Sequence, residues 1–403
     1  MRNRWLIALA AIGLHISIGS VYAWSVLTRP IMVDMGFTLS QTTWTFSLAI
    51  LMLGLSAGFL GSFAEKIGPK KSGLLAMLFW VAGLFGTAYA LSIHSLTLLY
   101  LFYGIIGGIG LGIGYITPVS TLVKYFPNRP GFATGLAIMG FGFAALIAGP
   151  LMQYLVAHVG LVNNFIILGI TYLIVMSASS LYLKAPTPKE PTRSNQDKST
   201  MYVHNHGMLA NDAMKTWQFS ALWWVFFVNI TCGIGLLSLA SPMAQETIGM
   251  TPAAAASLVG IIGIFNGGGR IAWSTISDFL GRAQTYILFF IMEIIAFYLL
   301  SQTNSALTFQ ILILLIITCY GGGFSCMPAY LADLYGIRQL STIHGRILTA
   351  WGLAGIAGPM IVSYFHEAGY GYSMALECFA VLFILNTIIA IVLKMYGKRD
   401  LHS

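Results

Sequence analysis

The chain has 403 residues, of which 57% are hydrophobic and 8% are charged. Soluble globular chains carry about 25% charged residues, so this composition excludes a soluble domain and indicates a polytopic membrane protein. The apolar runs are long and unbroken, whereas outer-membrane barrels show short alternating segments, so the predicted fold class is all-α. The formal net charge of +8 does not indicate nucleic-acid binding, because the basic residues follow the membrane boundaries.

Twelve apolar segments long enough to cross a bilayer follow one another along the chain. Arg2 and Arg4 precede the first, as in a signal peptide, but the apolar run continues to about Leu27 without a small-residue cleavage site. We therefore predict an uncleaved first helix. The predicted spans, numbered in chain order, cover 5–28, 43–64, 72–92, 96–123, 130–157, 162–184, 217–240, 253–276, 283–301, 304–332, 343–366 and 373–396.

One long hydrophilic segment divides the chain into two sets of six spans. This linker, 185–216, separates a predicted N-terminal bundle, 1–184, from a predicted C-terminal bundle, 217–403. Its histidines, His204 and His206, could bind a metal as a pair, but solvated linker histidines are far more common. The four cysteines lie in apolar runs without metal-ligand spacing, so we expect no metal and no cofactor.

Lysines and arginines gather in every second loop. They follow spans 2, 4, 6, 8 and 12 and flank the start of span 11, whereas the opposite loops contribute only Arg29. The positive-inside rule therefore predicts that both termini and the linker are cytoplasmic. Arg270 is the one basic residue that this topology leaves far from either membrane surface.

The two sets of six spans carry related motifs in corresponding loops. Pro118 in span 4 matches Pro328 in span 10. Parallel six-helix repeats joined by a basic linker are typical of secondary transporters, in which the substrate site lies near the midplane between the halves. After spans 2 and 8, an acid is followed by a glycine three residues later and a base soon after, namely Glu65, Gly68 and Lys70, then Asp278, Gly281 and Arg282.

Arg270 follows three glycines inside the apolar run of span 8. A charged guanidinium at this depth costs about 2.5–3.5 kcal/mol on insertion scales, so it normally faces a cavity or a partner. Its planar fork can pair with a carboxylate through two hydrogen bonds. The alternative is an ion pair with an acid in the membrane, Glu293 in span 9 or Glu377 in span 12. Asn266, four residues earlier on the same helix face, is neutral and cannot neutralise Arg270.

Several motifs carry a family resemblance over essentially the whole chain. The loop Gly61-Ser-Phe-Ala-Glu65-Lys66-Ile-Gly68-Pro-Lys70-Lys71 resembles the G-x-x-x-D-R-x-G-R-R/K signature of the major facilitator superfamily, with Glu65 as the acid and Pro69 interrupting. Other motifs resemble the oxalate/formate antiporter family, and related monocarboxylate transporters also keep an arginine at this point of span 8. These motifs are Gly19-Ser-Val-Tyr22-Ala-Trp24-Ser, Lys124-Tyr-Phe126-Pro127-Asn-Arg129-Pro-Gly131, Asn266-Gly-Gly-Gly-Arg270, Ser277-Asp278-x-x-Gly281-Arg282 and Leu348-Thr-Ala-Trp351-Gly.

This resemblance implies a fold and a set of site residues. The fold is two pseudo-symmetric six-helix bundles in a bacterial inner membrane, commonly working as a monomer. Helix packing or an interfacial aromatic belt is the alternative role for the tyrosines, and ordinary packing for Phe141. The residues implied to line the substrate cavity are Arg270, Asn266, Tyr22, Trp24, Tyr115, Phe141, Tyr320 and Trp351.

Trp351 marks a departure from the oxalate transporter, which carries a second cation, a lysine, at this point of span 11. Two cations suit a dicarboxylate, whereas one cation opposite an indole suits a monocarboxylate with an apolar end. The expected substrate is therefore formate, lactate or pyruvate rather than oxalate. Arg346, five residues earlier, lies too near the cytoplasmic end to replace the lysine.

The sequence suggests two further roles, one in proton transport and one in conformational gating. His15, seven residues before Tyr22 on the same helix face, could carry a transported proton, although such histidines are more often hydrogen-bonded in a helix interface. The resemblance also implies a charge network in the loops that braces one closed state. Its expected members are Glu65, Lys66, Lys70, Asp278 and Arg282.

The sequence thus predicts a secondary carrier that moves a small carboxylate across the lipid bilayer by alternating access, and no enzyme. It leaves open whether a proton or a counter-anion moves with the substrate. The alternatives are an oxalate/formate-type dicarboxylate exchanger, a facilitator of a neutral drug or sugar, and a membrane sensor that binds a carboxylate.

Overall fold

A computed structural model describes residues 3–125, 130–185, 207–336 and 339–396. Twelve helices in these ranges are long and apolar enough to cross a membrane, so the predicted all-α fold of twelve spans is confirmed. Most of the linker, with His204 and His206, lies outside the described residues. So do Phe126, Pro127 and Arg129 of the loop after span 4, and the Glu65 side chain.

The helices form the spans as follows. Spans 1 to 6 contain Arg4–Gly19 with the 3₁₀ turn Ser20–Ala23, Leu39–Ile67, Pro69–Ser92, Leu96–Leu99 continued by the π-helix Tyr100–Gly107 and by Gly108–Tyr125, Pro130–Val159, and Leu161–Tyr182. Spans 7 to 12 contain Trp217–Ser238, Pro252–Leu280, Arg282–Gln302, Ala306–Tyr335, Leu340–Ile347 continued by Thr349–Phe365 and the π-helix His366–Tyr370, and Ser373–Tyr396. Shorter helices are Ser25–Met35 after span 1, Ala210–Ala213 before span 7 and Ala240–Ile248 after it.

The helix of span 1 changes to a 3₁₀ turn at Ser20–Ala23, inside the predicted span, and the helix of span 7 ends at Ser238, close to its predicted end. The hydroxyl of Ser20 donates to the carbonyl of Ser17 at 2.7 Å, and the hydroxyl of Ser238 donates to the carbonyl of Gly235 at 3.0 Å. Such hydroxyls compete with backbone amides for the carbonyls of the preceding turn, which favours a bend or break in the helix. The interruption in span 1 contains Tyr22, which the sequence assigns to the substrate site.

Helix packing repeats between the two halves. Span 1 packs on span 5 and span 7 on span 11; span 2 packs on span 4 and span 8 on span 10; span 3 packs on span 6 and span 9 on span 12. The halves then meet through span 5 against span 8 and span 2 against span 11. These contacts are the pseudo-symmetric arrangement of two six-helix bundles.

The repeated loop motif has a conformational basis. Gly68 and Gly281 adopt φ values of 80° and 90°, and each lies between two helices, spans 2 and 3 or spans 8 and 9. Residues with a Cβ rarely adopt this conformation, so the glycine lets one span end and the next begin immediately. The face that carries these loops is called the basic face below, and the other the opposite face.

Large apolar side chains cover the outside of the bundle, where a bilayer would contact them. Examples of these exposed residues are Leu9, Phe59, Ile174, Tyr298 and Val381. The charged and strongly polar residues deep in the spans turn inward instead, among them Arg270, Asn266, Glu293 and His15. Apolar side chains facing the lipid and polar side chains facing the interior are what a bilayer environment requires.

Candidate functional site

Span 8 holds Arg270 in the interior, between the two halves. The helix runs from Pro252 to Leu280, begins with a Thr251 N-cap and leaves Arg270 only 1% exposed. The Arg270 Nε donates to Asn266 Oδ1 at 3.3 Å, one helical turn earlier. Asn266 therefore orients the guanidinium without neutralising its charge, as the sequence predicts.

Several buried N–H donors in this region make no hydrogen bond of standard geometry in the described part of the chain, namely Nη1 and Nη2 of Arg270, Nδ2 of Asn266 and Nε1 of Trp351. The guanidinium interacts with the hydroxyl of Tyr115, and the Trp351 indole with that of Tyr22, but neither contact has the geometry of a full hydrogen bond. Buried donors without acceptors are costly and rare in native proteins. A molecule that binds here with oxygen acceptors would satisfy donors that this part of the protein leaves free.

The two acids that could have paired with Arg270 have other partners. Glu293 accepts a hydrogen bond from Asn229 at 3.4 Å, and Glu377 accepts one from Gln302 at 2.9 Å. Among the described residues, no carboxylate forms an ion pair with Arg270. The alternative of a locked internal ion pair therefore has no support from this geometry.

Six aromatic residues form a closed circuit beside the guanidinium, which we call the aromatic cage. Its successive ring centroids lie 4.9–6.3 Å apart. The Phe324 ring faces the guanidinium, with its centroid 5.0 Å from Arg270 Cζ, a cation–π distance. In order around the circuit the members are Tyr22, Phe141, Tyr115, Trp351, Phe324 and Tyr320.

The cage draws equally on both halves of the chain. Tyr22, Tyr115 and Phe141 come from spans 1, 4 and 5, and the other three come from spans 10 and 11. The hydroxyls of Tyr22 and Tyr320 join the halves by a hydrogen bond of 2.8 Å. The structure thus brings five predicted aromatic residues together and adds Phe324, which the sequence analysis missed. The one sequence signal for Phe324 is its position four residues after Tyr320, on the same helix face.

Glycines beside Arg270 let three helices approach each other closely. A Cβ at Gly267 would lie 3.1 Å from the Phe143 ring of span 5, and one at Gly269 would lie 2.6 Å from the Thr318 carbonyl oxygen of span 10. A Cβ at Gly268, by contrast, would meet nothing within 4 Å. The glycine run therefore packs span 8 between spans 5 and 10, as close-packing glycines do in membranes.

Trp24, a predicted site residue, and Arg346, which the sequence analysis excluded from the site, both have other surroundings. The Trp24 ring contacts Tyr103, with centroids 4.5 Å apart, and lies in no described ring contact with the cage. Arg346, near the start of span 11, donates to Asn211 of the short helix before span 7 at 2.8 Å, in agreement with its expected position near one end of the span. The substrate-binding role of Trp24 stays a prediction.

His15 is buried and braces three spans. Its Nδ1 lies against the carbonyl oxygen of Ala137 in span 5, and its Nε2 lies 2.9 Å from the carbonyl oxygen of Tyr115 in span 4. The imidazole also stacks on the Tyr115 ring at 5.4 Å. These contacts match a histidine that is hydrogen-bonded in a helix interface, the commoner of the two roles considered, and its proton-carrying role stays a prediction.

The predicted charge network is partly assembled on the basic face. Arg282 Nη2 lies 2.5 Å from Asp278 Oδ1, and Arg282 Nε lies 3.8 Å from Asp333 Oδ2 at the end of span 10. Asp333 is an addition that the sequence analysis missed. Lys66 and Lys70 are exposed. All three members of the assembled cluster belong to the C-terminal half. The cluster therefore links the end of span 8 to the end of span 10 within that half.

Comparison with known proteins agrees with this architecture. The family model described as Major Facilitator Superfamily matches residues 7–284 and 222–401. The chain belongs to the major facilitator superfamily. It is also similar to a solved structure, an inward-facing, unoccupied bacterial homologue of the human lysosomal transporter Spinster. That similarity has a TM-score of 0.76 at 14% sequence identity and covers 97% of both chains, so it bears on the fold alone.

Two curated relatives are similar over most of their length. An uncharacterised MFS-type transporter, YhjX of Escherichia coli (strain K12), is 27% identical over 357 residues, 88% of this chain and 86% of that protein. The oxalate:formate antiporter of Oxalobacter formigenes is 26% identical over 362 residues, 88% of this chain and 83% of that protein. The resemblance inferred from the motifs is thereby confirmed, and this chain is a multi-pass member of a transporter family.

Proposed function

We propose that this protein is a secondary active transporter that carries a small monocarboxylate by alternating access. The observation that carries the proposal is the set of unpartnered N–H donors beside the cage, on Arg270, Asn266 and Trp351. All of these groups donate and none accepts, so they suit an anion. The two Nη atoms of one guanidinium match the two oxygens of one carboxylate.

The cage favours one carboxylate group over two. Arg270 is the single cation beside the cage among the described residues, and the rest of the cage consists of aromatic rings, among them those of Trp351, Tyr115 and Phe141. A second carboxylate would lose its hydration against apolar rings without gaining a cation, which is unfavourable. Formate, lactate and pyruvate each present one carboxylate with a hydrogen or a small carbon group behind it.

The contacts between the halves support alternating access. Toward the opposite face, Arg29 donates to Gln245 at 2.9 Å, and Ser363 donates to Thr43 at 3.2 Å. Toward the basic face, spans 2 and 11 pack closely. A Cβ at Gly58 of span 2 would lie 3.3 Å from the carbonyl oxygen of Gly345 in span 11. Substrate can therefore enter only when one set of contacts separates, and rocking of the two halves would open each set in turn.

The proposed transport cycle also includes the two bundles, the linker and the orientation in the membrane. Bundles 1–184 and 217–403 would rock about the cage, joined by the linker 185–216. The basic face would be cytoplasmic, with both termini on that side of a bacterial inner membrane. One copy of the chain contains both halves of the site, so a monomer would suffice.

The experiment that tests the function is uptake of labelled formate, lactate, pyruvate and oxalate into proteoliposomes. Hydrogen bonds to charged groups contribute about 1.5–3 kcal/mol each, so losing two of them in Arg270→Gln should lower the apparent affinity at least about 100-fold. Arg270→Lys keeps the charge but loses the fork, so its uptake should be intermediate. Undiminished carboxylate uptake by Arg270→Gln, in protein that folds normally, would overturn the proposal.

A further inference from the structure

A second buried polar group lies in the C-terminal half, apart from the aromatic cage. Glu293 of span 9 is fully buried, and its Oε2 accepts a hydrogen bond from Asn229 Nδ2 of span 7 at 3.4 Å. The other oxygen of each partner, Glu293 Oε1 and Asn229 Oδ1, has no hydrogen-bond partner among the described residues. The acid and the amide therefore share one hydrogen bond and leave one oxygen free on each side.

The two free oxygens indicate which form of Glu293 fits this site. An ionised carboxylate only accepts, and so does the amide oxygen of Asn229, so neither can satisfy the other. A protonated carboxyl carries its own O–H donor, so only the neutral form of Glu293 can donate to an acceptor. An ionised carboxylate would also stand in a low-dielectric interior without a cation, which is strongly unfavourable. Glu293 therefore carries a proton in this closed arrangement.

The groups around Glu293 contain no basic residue in the described part of the chain. Cys232 of span 7 and Cys319 of span 10 are the titratable groups that interact with it. Cys378 of span 12 interacts with Cys232, and Tyr286 of span 9 donates its hydroxyl to the Gly323 carbonyl at 2.6 Å. These thiols and this phenol are neutral near pH 7, so a proton on Glu293 is the one charge-changing event available to the group.

Span 10 links this group to the cage. A Cβ at Gly323 would clash with Asn229 Oδ1, so the amide rests directly on the backbone of span 10. The next residue, Phe324, faces the Arg270 guanidinium, and Tyr320 of the cage packs its ring on Gly233 of span 7. Any shift of span 7 against span 10 therefore acts on the acid–amide pair and on the cage together.

We propose that Glu293, paired with Asn229, is a proton-binding site that couples proton movement to carboxylate transport, so that one proton moves with each monocarboxylate. The inference rests on the proposed function. In the closed arrangement Glu293 holds the proton. When the halves separate and Tyr320 of span 10 loses its contact with Tyr22, span 10 also shifts against span 7 within the C-terminal half, and the carboxyl then reaches water and releases the proton. The carboxylate brings one negative charge and the proton one positive charge, so the transported pair is neutral.

The test compares two transport modes in proteoliposomes for wild type, Glu293→Gln, Glu377→Gln and Arg270→Gln. One mode is exchange of labelled for unlabelled carboxylate at equal pH on both sides, and the other is net accumulation driven by a pH gradient. Glutamine supplies the donor of a protonated acid but cannot release it. We expect Glu293→Gln to exchange within about 2-fold of wild type and to lose at least 10-fold of its gradient-driven accumulation.

Two controls separate this inference from the proposed function. Glu377→Gln removes an acid of span 12, which pairs with Gln302, and should behave as wild type in both modes. Arg270→Gln should lose both modes, and its failure to do so would count against the carboxylate site rather than against Glu293. Gradient-driven accumulation by Glu293→Gln at the wild-type rate would overturn the inference. So would loss of exchange in a Glu293→Gln protein with normal thermal stability, because Glu293 would then be needed for binding or packing.

Discussion

The hydroxyl oxygens of Tyr22 and Tyr320 lie 2.8 Å apart, although 298 positions separate the two residues in the chain. This hydrogen bond joins span 1 of one half to span 10 of the other inside the aromatic cage. When the halves rock apart, the bond must break. In this pair one hydroxyl donates to the other, and the accepting hydroxyl keeps its own proton for a carboxylate in the cage, so the two hydroxyls act on the substrate as one unit.

Tyr22→Phe and Tyr320→Phe should therefore have similar effects and should not add. A neutral hydrogen bond contributes about 0.5–1.5 kcal/mol, so each variant should weaken the apparent affinity for carboxylate by roughly 2- to 10-fold. The apparent affinity of the double variant should be no lower than that of the more impaired single variant, because each single change already breaks the hydrogen bond between the two hydroxyls. Concentration-dependent uptake measures all three. Effects that multiply in the double variant would show that the two hydroxyls act independently.

Trp351 should decide between one and two carboxylates. Its indole closes the cage against Tyr115 and Phe324, at centroid distances of 5.1 and 4.9 Å. Trp351→Lys would add a second cation to the cage, so oxalate should compete at least about 10-fold better against labelled substrate. Trp351→Phe, the matched control, keeps an aromatic ring and should leave oxalate a poor competitor. Equal gains in both variants would mean that space rather than charge excludes oxalate.

The topology was predictable because lipid imposes strong rules on composition. Each span needs about 20 apolar residues, and basic residues gather in every second loop. The prediction of the spans is less accurate where a side-chain hydrogen bond alters the helix backbone. The sequence predicts a continuous span 1, yet the hydroxyl of Ser20 bonds to a backbone carbonyl and the helix changes to a 3₁₀ turn at Tyr22.

A second repeat between the halves escaped prediction. Gly36 and Gly249, with φ values of 69° and 66°, each end a helix, and Thr38 and Thr251 cap the next one two residues later. The shared pattern of glycine, apolar residue and threonine is short and carries no charge, so composition does not reveal it. Its role emerges only from the left-handed backbone and the side-chain cap.

The cage was predicted in part for a similar reason. Arg270 stands out in an apolar helix because its charge is costly there, and the tyrosines carry hydroxyls that suggest a polar role. Phe324 gives no such signal, since a phenylalanine in an apolar span is ordinary. Its significance depends on the ring being 5.0 Å from the Arg270 guanidinium carbon, a distance set by tertiary packing.

The glycine run before Arg270 offers a matched pair of substitutions. A Cβ at Gly269 would lie 2.6 Å from the Thr318 carbonyl oxygen, whereas one at Gly268 would meet nothing within 4 Å. Gly269→Ala should therefore force spans 8 and 10 apart, cost about 1–3 kcal/mol and reduce transport. Gly268→Ala should be close to wild type. Thermal unfolding in detergent and uptake in proteoliposomes measure both variants, and equal behaviour of the two would contradict the close packing.

Glu367 should stabilise the closed state of the opposite face, which our orientation makes external. Its Oε1 accepts a hydrogen bond from the backbone amide of Ser40 at 2.6 Å, in the first turn of span 2, which belongs to the other half. A carboxylate at a helix N-terminus contributes about 0.3–1 kcal/mol, so Glu367→Gln should shift the equilibrium toward the externally open state by roughly 2- to 5-fold. Distances between spin labels placed on the external ends of spans 2 and 11 would report the shift.

His366 supplies the control for this measurement. Its Nε2 pairs with Glu246 at 2.7 Å, and both residues belong to the C-terminal half. Rocking of the halves leaves that pair intact, so His366→Gln should not change the distribution of label distances. If His366→Gln shifted the distribution as strongly as Glu367→Gln, closure of the external face would depend on the shape of the segment at the end of span 11 rather than on the bond from Ser40 to Glu367. If only Glu367→Gln shifted it, the bond to Ser40 would be the contact that separates when the external face opens.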